Sequence, residues 1–361
     1  MVRLPLEVIV GSNYVRYETL GGLIAQAYND PNVQSDQLNI FIDLYSIIKP
    51  MFTSDRSIEY DMTSELELSA DILNMCAHYR LFFDRLKVNT KIFLIFGLNR
   101  PENNAILSKG YNDKFYSSYI AKPKLRELVE KNMKSLELLC MSLPHIYYFN
   151  IGNMEVSSYI EYILQMHKLN DKSLNPTMEN MVISKDVLPL QLVSSGCTVL
   201  RPKKSKGSDS SFIVSHINFW NSFMSEVRNV KVQDYYKIDP ALFANILAMT
   251  RVPERCMNSI KSVPVVCNYI LKAIEMGYIT KNQDFDQATI NKVLEILGVN
   301  TNYTTLEMRW KAISSKFMAN YIIPNDPRIS NPILIELNDP DSIREIVARY
   351  YEKSPIDLDR L

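Results

Sequence analysis

The sequence predicts an α/β fold in which a mostly parallel central sheet is flanked by helices. Short apolar segments of strand length alternate with longer amphipathic segments of helical period in the first half of the chain. This alternation favours parallel strands joined by crossover helices. The 361 residues, 47% hydrophobic and 22% charged, have the composition of a globular protein and are enough for one large domain or two ordinary ones.

The first predicted strand is Leu38–Asp43, an apolar run that ends in an acid and leads into a helix from Tyr45. An Asp at the end of a strand is a common helix N-cap, because its side chain accepts hydrogen bonds from the first backbone N–H groups. The same carboxylate could instead ligate a metal at the sheet edge. The residues alone leave both interpretations of Asp43 open.

Two further strands and a long helix follow the first strand. Residues 63–90 have an apolar face at helical spacing, and Lys91–Gly97 is a second buried strand. His145–Asn150 is a third strand that leads into a helix beginning near Glu155. An acid in the first turn of a helix also has a simple favourable interaction with the helix dipole.

The segment Met181–Val193 is a buried strand that delivers one carboxylate, Asp186, at its C-terminal end. In open α/β sheets, binding and catalytic sites form at that edge. The segment Arg201–Ser208 is rich in Lys, Pro, Gly and Ser, so we expect a surface loop there.

The second half of the chain is predicted to be mainly helical. Asp239 is expected to cap a helix that has Pro240 at its first position, and a second helix is expected near Val265–Met276. Further helices are expected near 284–297, 304–320 and 340–352, with an extended run at Pro332–Leu337.

The order of these features resembles the FEN-like branch of the PIN-like nucleases, the 5′–3′ exonucleases and flap endonucleases. The features that carry this resemblance are the strand ending in Asp43, the Phe96-Gly97 pair, the helix at Glu155, and Asp186 followed by Gln191-Leu192-Val193. The helix pair from Asp239 to Met276 resembles the helix–three-turn–helix of that family. The resemblance covers about residues 38–280 and implies a PIN/FEN-like fold with a helix–three-turn–helix subdomain and an appended helical C-terminal region.

The resemblance also implies that most of the nuclease chemistry has been lost. The family's reaction uses roughly seven acids that hold two divalent metals about 4 Å apart. Three matching carboxylates remain here as candidate metal ligands: Asp43, Glu155 and Asp186. Non-acidic residues occupy the other matched positions: Phe96 with Gly97, Ser157, Ser158, Leu188, Val252 and Arg255. We therefore expect a degenerate member of the family with no catalytic residues, and either no cofactor or weakly bound Mg²⁺ or Mn²⁺.

Basic residues cluster in two places that could contact nucleic acid, and tyrosines lie between them in the first place only. Residues 100–135 resemble the helical arch of FEN-like nucleases, and the second cluster is Arg201–Ser208. Phosphate charge and base stacking both suit such residues. The alternatives are a solvated helix start and a solvated loop. The candidate nucleic-acid-binding residues are Lys114, Tyr119, Lys122, Lys124, Arg126, Arg201, Lys203, Lys204 and Lys206.

Charge and apolar patterning limit the expected partners. Lys+Arg and Asp+Glu both number 40, so any DNA contact must come from local patches rather than from the net charge. No apolar run reaches the roughly 18 residues that a membrane span needs, so we expect no membrane partner. The scattered cysteines form no CxxC pair, so we expect them to be reduced, as they are in a cytoplasmic protein.

The bias toward Asn, Ile, Lys and Tyr is typical of AT-rich genomes, for instance of many viruses. A viral, phage-like source would place the protein in the host cytoplasm or in a virion.

The sequence predicts four regions and leaves three functions open. The regions are an N-terminal extension (1–37), a nuclease-fold domain (38–200), a helix–three-turn–helix-like subdomain (201–280) and a helical C-terminal region (281–361). The first function is an inactive nuclease relative that binds flap or single-stranded DNA in replication, recombination or packaging. The second is a nuclease fold reused as a structural or interaction component of a viral particle or replication complex. The third is an active exonuclease, in which other acids complete the metal cluster: Asp171, Glu179, Asp209 or Asp234.

Overall fold

A six-stranded sheet lies at the centre of the described part of the chain in a computed structural model. The structure describes residues 37–53, 66–85, 89–97, 121–152, 154–170, 178–205, 208–214, 240–250, 263–278, 295–296, 298 and 303–322. The expected N-terminal extension, most of the arch-like segment, the turn at 251–262 and the helix at 340–352 lie outside these residues.

Five of the six strands run parallel, which confirms the predicted sheet. Its order is β3-β2-β1-β4-β5-β6, and only β6 is antiparallel, to β5. The strands are β1 (Gln37–Asp43), β2 (Asn89–Phe96), β3 (Ile146–Asn150), β4 (Met178–Ile183), β5 (Cys197–Ser205) and β6 (Ser208–Val214).

The helices that connect the parallel strands lie where the sequence predicts them. The helix expected at 63–90 spans Glu67–Arg85, and the helix expected near Glu155 begins at Val156. A 3₁₀ helix follows β4 over Leu188–Ser195 and ends at Gly196, whose φ of 91° is the left-handed conformation that glycine adopts readily. The α-helices are α1 (Leu44–Thr53), α2 (Glu67–Arg85), α3 (Pro123–Ser142) and α4 (Val156–Asn170).

The strand order reverses between β1 and β4. The chain adds β2 and then β3 on one side of β1, and it returns to place β4 on the other side. Connections leave the two strands in opposite directions at such a point, so a crevice opens beyond their C-terminal ends. Asp43 ends β1 and Asp186 follows β4, so this crevice brings both predicted carboxylates to one edge of the sheet.

The strands of the sheet centre are buried on both faces. Ile40, Phe41 and Ile42 of β1 are fully inaccessible to solvent, which suits a parallel strand covered by helices on both sides. The Phe41 ring stacks on Phe93 of β2 with centroids 4.9 Å apart. Each such side chain stabilises the fold by about 1.5–3 kcal/mol relative to exposure, so β1 is a rigid base for Asp43.

The predicted loop at Arg201–Ser208 is wrong, because the chain forms a β-hairpin there. Strand β5 continues to Ser205 and pairs with β6 from Ser208 onward. The pairing of β5 with β4 ends at Leu200, so among the described strands Pro202 has a neighbour in β6 alone. Proline is tolerated at such positions, although its presence makes the segment read as a loop.

The C-terminal helices of the described residues pack on the same core as the sheet. The helix expected from Asp239 begins as a 3₁₀ turn at Pro240, and Asp239 lies outside the described residues. The helices expected at 265–276 and 304–320 are confirmed. They are α5 (Phe243–Met249), α6 (Val263–Glu275), α7 (Tyr303–Ile313) and α8 (Ser315–Phe317), followed by a π-helical turn at Met318–Ile322.

A buried glutamine joins the 3₁₀ helix Leu188–Ser195 to these C-terminal helices. Gln191 Nε2 donates a 2.7 Å hydrogen bond to the backbone oxygen of Ile313, and Gln191 Oε1 accepts one of 3.0 Å from the N–H of Ser315. Leu306 and Ile313 are buried in the same apolar cluster as the sheet. The helices α7 and α8 are thus packed against the core.

The predicted domain boundary at 200/201 falls within strand β5. The division into four regions stays a prediction. Among the described residues, no helix combines the length and apolarity that a membrane span requires.

Candidate functional site

Asp43 is held by hydrogen bonds from the protein to both of its carboxylate oxygens. Oδ1 accepts a 3.1 Å bond from the N–H of Ser46, which is the geometry of an N-cap on α1. Oδ2 accepts a 2.6 Å bond from the Ser184 hydroxyl at the end of β4. The helix-cap interpretation of Asp43 is therefore confirmed, and the carboxylate is only 2% exposed.

Two serines connect the β1–α1 turn to the loop after β4. Ser46 Oγ donates to the backbone oxygen of Asp43 at 2.9 Å and accepts the N–H of Lys185 at 3.1 Å. Ser184 Oγ accepts the N–H of Asp186 at 3.1 Å while it donates to Asp43. These bonds fix the backbone that carries both carboxylates, so their relative position is set by the fold.

The pKa of Asp43 is raised from 3.8 to about 7, chiefly by burial. The negative charge of Asp186 and, to a smaller extent, that of Glu155 also act to raise this pKa, while the hydrogen bonds from Ser184 and Ser46 act to lower it. A carboxyl group that titrates near neutral pH is protonated in a large fraction of molecules. Asp43 is consequently a poorer ligand for a divalent cation than an ordinary, fully ionised aspartate.

Asp186 forms an ion pair with a lysine that sequence reasoning missed. Lys49 Nζ lies 3.2 Å from Asp186 Oδ1, and the two side chains are 20% and 6% exposed. The ammonium also lies 5.5 Å from the centre of the Tyr45 ring, within range of a cation–π contact. The only sequence signal for Lys49 is its place in the helix that directly follows Asp43, since helical side chains lean back toward the N-terminus of their helix.

Glu155 stands next to the same site, in front of α4. Its backbone oxygen accepts the N–H groups of Ser158 and Tyr159, both at 3.1 Å, in the first turn of the helix. Its side chain is half-buried, and its charge acts on Asp43. The three predicted carboxylates therefore interact electrostatically through Asp43.

The structure also locates positions at which the resembled family has acids. Ser157 and Ser158 are buried at the start of α4, and neither hydroxyl has a hydrogen-bond partner among the described residues. Leu188 is buried in the apolar core and cannot ligate a metal. At Gly97, an added Cβ would lie 2.7 Å from Ile151 Cγ1 and from the Met154 backbone oxygen, so a side chain does not fit. Val252 and Arg255 lie outside the described residues.

The carboxylates of this site do not fit a two-metal centre. No group of three or more His, Cys, Asp and Glu side chains in the described ranges has an arrangement that could hold a metal ion. Hard divalent cations need several ionised oxygen ligands. Here both oxygens of Asp43 accept protein hydrogen bonds, and one oxygen of Asp186 is paired with Lys49.

An active exonuclease would need other acids to complete the metal cluster, and the two of these that the structure describes, Glu179 and Asp209, lie in strands away from Asp43 and Asp186. Glu179 pairs with Leu38 near the beginning of β4, five residues before Ser184 and thus about 16 Å from the sheet edge. Asp209 lies in β6 opposite Lys204, toward the hairpin tip. Asp171 and Asp234 lie outside the described residues.

Two of the side chains predicted to contact nucleic acid, those of Lys122 and Arg126, interact with other groups of the protein. Lys122 Nζ donates a 2.8 Å hydrogen bond to the Phe52 backbone oxygen near the end of α1. Arg126 lies 3.8 Å from Glu130 one helical turn away, and Lys124 is exposed at the start of α3. Lys114, Tyr119 and Lys206 lie outside the described residues.

The predicted surface role of Arg201 is wrong. Its side chain is buried, with 4% exposure, and its guanidinium donates to the backbone oxygen of Lys185. The cause is its position in β5, directly after the last residue that pairs with β4, which places the guanidinium against the loop that carries Asp186.

The hairpin that contains Arg201 extends past the site. Because β4 pairs with β5 only as far as Leu200, residues 201–205 continue for about 16 Å beyond the C-terminal end of β4. Lys203 and Lys204 lie on this extension, opposite Ser210 and Asp209. The hairpin therefore brings two lysine positions to the same sheet edge as Asp43 and Asp186.

Comparison with known proteins finds similarity only in structure. No protein-family model and no curated protein matches the sequence. The solved 5′-exonuclease of phage T5 with bound zinc matches with a TM-score of 0.50 at 12% identity, over 87% of this chain and 98% of that one. The chain has the FEN-like nuclease fold.

Two further structures with this fold give lower scores. The T5 D15 protein co-crystallised with metal ions matches with a TM-score of 0.48 at 12% identity, over 87% of this chain and 98% of that one. Human GEN1 in complex with Holliday junction DNA matches with a TM-score of 0.40 at 11% identity, over 78% of this chain and 59% of that one. The match to the T5 5′-exonuclease covers 87% of the chain, which is more than the 38–280 region expected from the motifs.

Proposed function

We propose that this chain is a catalytically inactive FEN-fold protein that binds nucleic acid in replication, recombination or packaging. The observation that carries the proposal is the engagement of Asp43 by Ser46 and Ser184, which turns a carboxylate of the nuclease edge into a structural N-cap. A metal that recruited Asp43 would have to compete with a buried hydrogen bond of 2.6 Å and, because the pKa of Asp43 is raised to about 7, with a proton.

The proposed nucleic-acid contacts are Lys124 on α3 and Lys203 and Lys204 on the β5–β6 hairpin. Lys124 is exposed at a helix start, and the hairpin lysines lie on a strand extension beyond the sheet edge. The T5 relative is by name a 5′-exonuclease, so the same fold acts on nucleic acid in that protein. With zero net charge, we expect phosphate contacts that are few and local.

Fluorescence anisotropy of labelled 5′-flap and single-stranded DNA at about 50 and 150 mM salt tests this binding. The wild-type chain should bind at low salt and lose affinity as salt rises, by about 0.7–0.9 of a log unit per log unit of salt for each phosphate contact. Lys203→Ala with Lys204→Ala should reduce both the affinity and the salt slope, and so should Lys124→Ala. Lys134→Ala is the matched control, because Lys134 is an exposed lysine of the same helix that pairs with Glu137 at 2.9 Å.

A specific observation also favours a structural or interaction component of a viral particle or replication complex. Lys122, Arg126 and Arg201 all bind groups of their own chain. If the wild-type chain binds neither DNA at low salt, the nucleic-acid proposal fails, and the remaining function is association with other proteins of such an assembly.

The remaining alternative is an active metal-dependent exonuclease. It would need further acids from residues that the structure does not describe, such as Asp171 and Asp234, to join Asp186 and Glu155. Cleavage of a 5′-flap in Mg²⁺ or Mn²⁺ that Asp186→Asn abolishes would establish it. The expected cofactor state, none or a weakly bound Mg²⁺ or Mn²⁺, belongs to the same test.

A further inference from the structure

We propose that the Lys49 ammonium is the resident cation of the sheet edge and holds the position at Asp186 that a divalent ion would otherwise occupy. The pair is close and largely shielded from water, with Nζ 3.2 Å from Oδ1 and the Asp186 side chain 6% exposed. Burying a carboxylate to this degree is unfavourable unless a charge of opposite sign lies beside it.

The route of Lys49 to the site follows from the start of α1. This helix begins directly after Asp43, and its side chains lean toward its N-terminus, which is the sheet edge. The aromatic face of Tyr45, one turn earlier, lies beside the lysine and favours a cation there. The ammonium is thus brought to Asp186 by the same helix that Asp43 caps.

The second carboxylate oxygen of Asp186 is the reason to expect a latent cation site. Oδ2 is buried and has no hydrogen-bond partner among the described residues. Asp43 and Glu155 are close enough to act electrostatically on one another, and Asp43 senses Asp186. Without the ammonium, the Asp186 carboxylate would lose its 3.2 Å ion-pair partner, and a divalent cation bound to Asp186 is the natural replacement for the lost charge.

This inference rests on the proposed absence of cleavage, but its test has a separate outcome. A chain that binds DNA without cleaving it could still hold a single divalent ion at Asp186. In that case the Lys49 inference would fail while the proposed function stood. Conversely, a chain that cleaves DNA would overturn the proposed function whatever Lys49 does.

The test is thermal unfolding of the full chain with and without about 10 mM MnCl2, at ionic strength matched with NaCl. The variants are wild type, Lys49→Met, Asp186→Asn and the double variant, with Lys49→Arg as the control that keeps the charge. Lys49→Met keeps the apolar stem but leaves Asp186 uncompensated, so its melting temperature should fall by about 4–8 °C. Mn²⁺ should raise that melting temperature by about 3 °C or more and should not change the wild type, Lys49→Arg or the double variant.

Two results would overturn the inference. Stabilisation of the wild type by Mn²⁺ equal to that of Lys49→Met would mean that Lys49 does not occupy the cation position. Absence of any Mn²⁺ response in Lys49→Met would mean that the ammonium is not what excludes the ion. If Lys49→Met does not fold, the double variant decides. Folding of the double variant supports the inference, because it removes the uncompensated carboxylate, and failure of both overturns it.

Discussion

The Ser184 hydroxyl donates a 2.6 Å hydrogen bond to Asp43 Oδ2 across 141 residues of chain. The two residues end adjacent parallel strands at the point where the strand order reverses. In a two-metal nuclease, such carboxylate oxygens face the ions. Here the bond joins the end of β4 to the end of β1, so the Asp43 carboxylate stabilises the fold.

Ser184→Ala should lower the free energy of unfolding by about 1–3 kcal/mol, because it leaves a buried carboxylate oxygen and the Asp186 N–H without their partner. Urea denaturation measures the loss. Ser194→Ala is the matched control, since its exposed hydroxyl donates a hydrogen bond of similar length, 2.7 Å, to the Gln191 backbone oxygen. Equal losses in the two variants would contradict the structural role of Ser184.

Asp43→Asn should flatten the pH dependence of stability between about pH 4 and 7. The folded carboxyl titrates near 7 and the unfolded one near 3.8, so the folded chain binds the proton more tightly in this window. The free energy of unfolding of the wild type therefore falls as pH rises through the window, by an amount on the order of a few kcal/mol. Urea denaturation at several pH values gives the difference between the two curves, and Glu127→Gln, at an exposed position of α3, serves as control. Parallel curves for wild type and Asp43→Asn would contradict the raised pKa.

Gln191→Leu should destabilise the chain by about 2–3 kcal/mol. The substitution removes the acceptor of the Ser315 N–H and the donor to the Ile313 oxygen, and both groups are buried. Limited proteolysis should then cut the C-terminal helices faster than in the wild type. Gln165→Leu is the control, because Gln165 is half-buried and donates its 3.1 Å hydrogen bond to Glu161 of its own helix. Unchanged proteolysis in Gln191→Leu would show that residues 303–322 are held by other contacts.

Gly97→Ala should cost about 1–3 kcal/mol, because the new Cβ would lie 2.7 Å from Ile151 Cγ1 and from the Met154 oxygen. Ile151→Ala removes the first of these contacts. Chemical denaturation of the single and double variants should therefore show a smaller cost for Gly97→Ala in the Ile151→Ala background. Additive losses would mean that the contact with Ile151 does not set the cost.

The parts of the fold that local patterns determine were predictable. The apolar runs that end at Asp43 and Gly97, and the helix after Glu155, have the spacing of buried strands and amphipathic helices. Parallel strands joined by helices carry Asp43 and Asp186 to one sheet edge by topology alone. The sequence thus predicts the sheet and where the two carboxylates meet.

Contacts between distant segments were not predictable from local pattern. Lys49 and Asp186 are 137 residues apart, and nothing in the helix after Asp43 marks this lysine as the partner of a buried acid. Residues 201–208 have the composition of a loop, but pairing with β6 makes 201–205 part of strand β5, and Arg201 is buried against the loop that follows β4. Tertiary neighbours decide these outcomes, and local propensity is the weaker effect.

Single-turnover cleavage of a 5′-end-labelled flap DNA in Mg²⁺ and in Mn²⁺ measures directly whether this FEN-fold chain is catalytically inactive. Wild type and Asp186→Asn should be compared at enzyme excess, because the substitution removes the carboxylate with little change in size. A protein whose edge carboxylates are held by Lys49, Ser46 and Ser184 should give no more product than Asp186→Asn. Metal-dependent cleavage by the wild type that Asp186→Asn abolishes would show instead that the chain is an active nuclease.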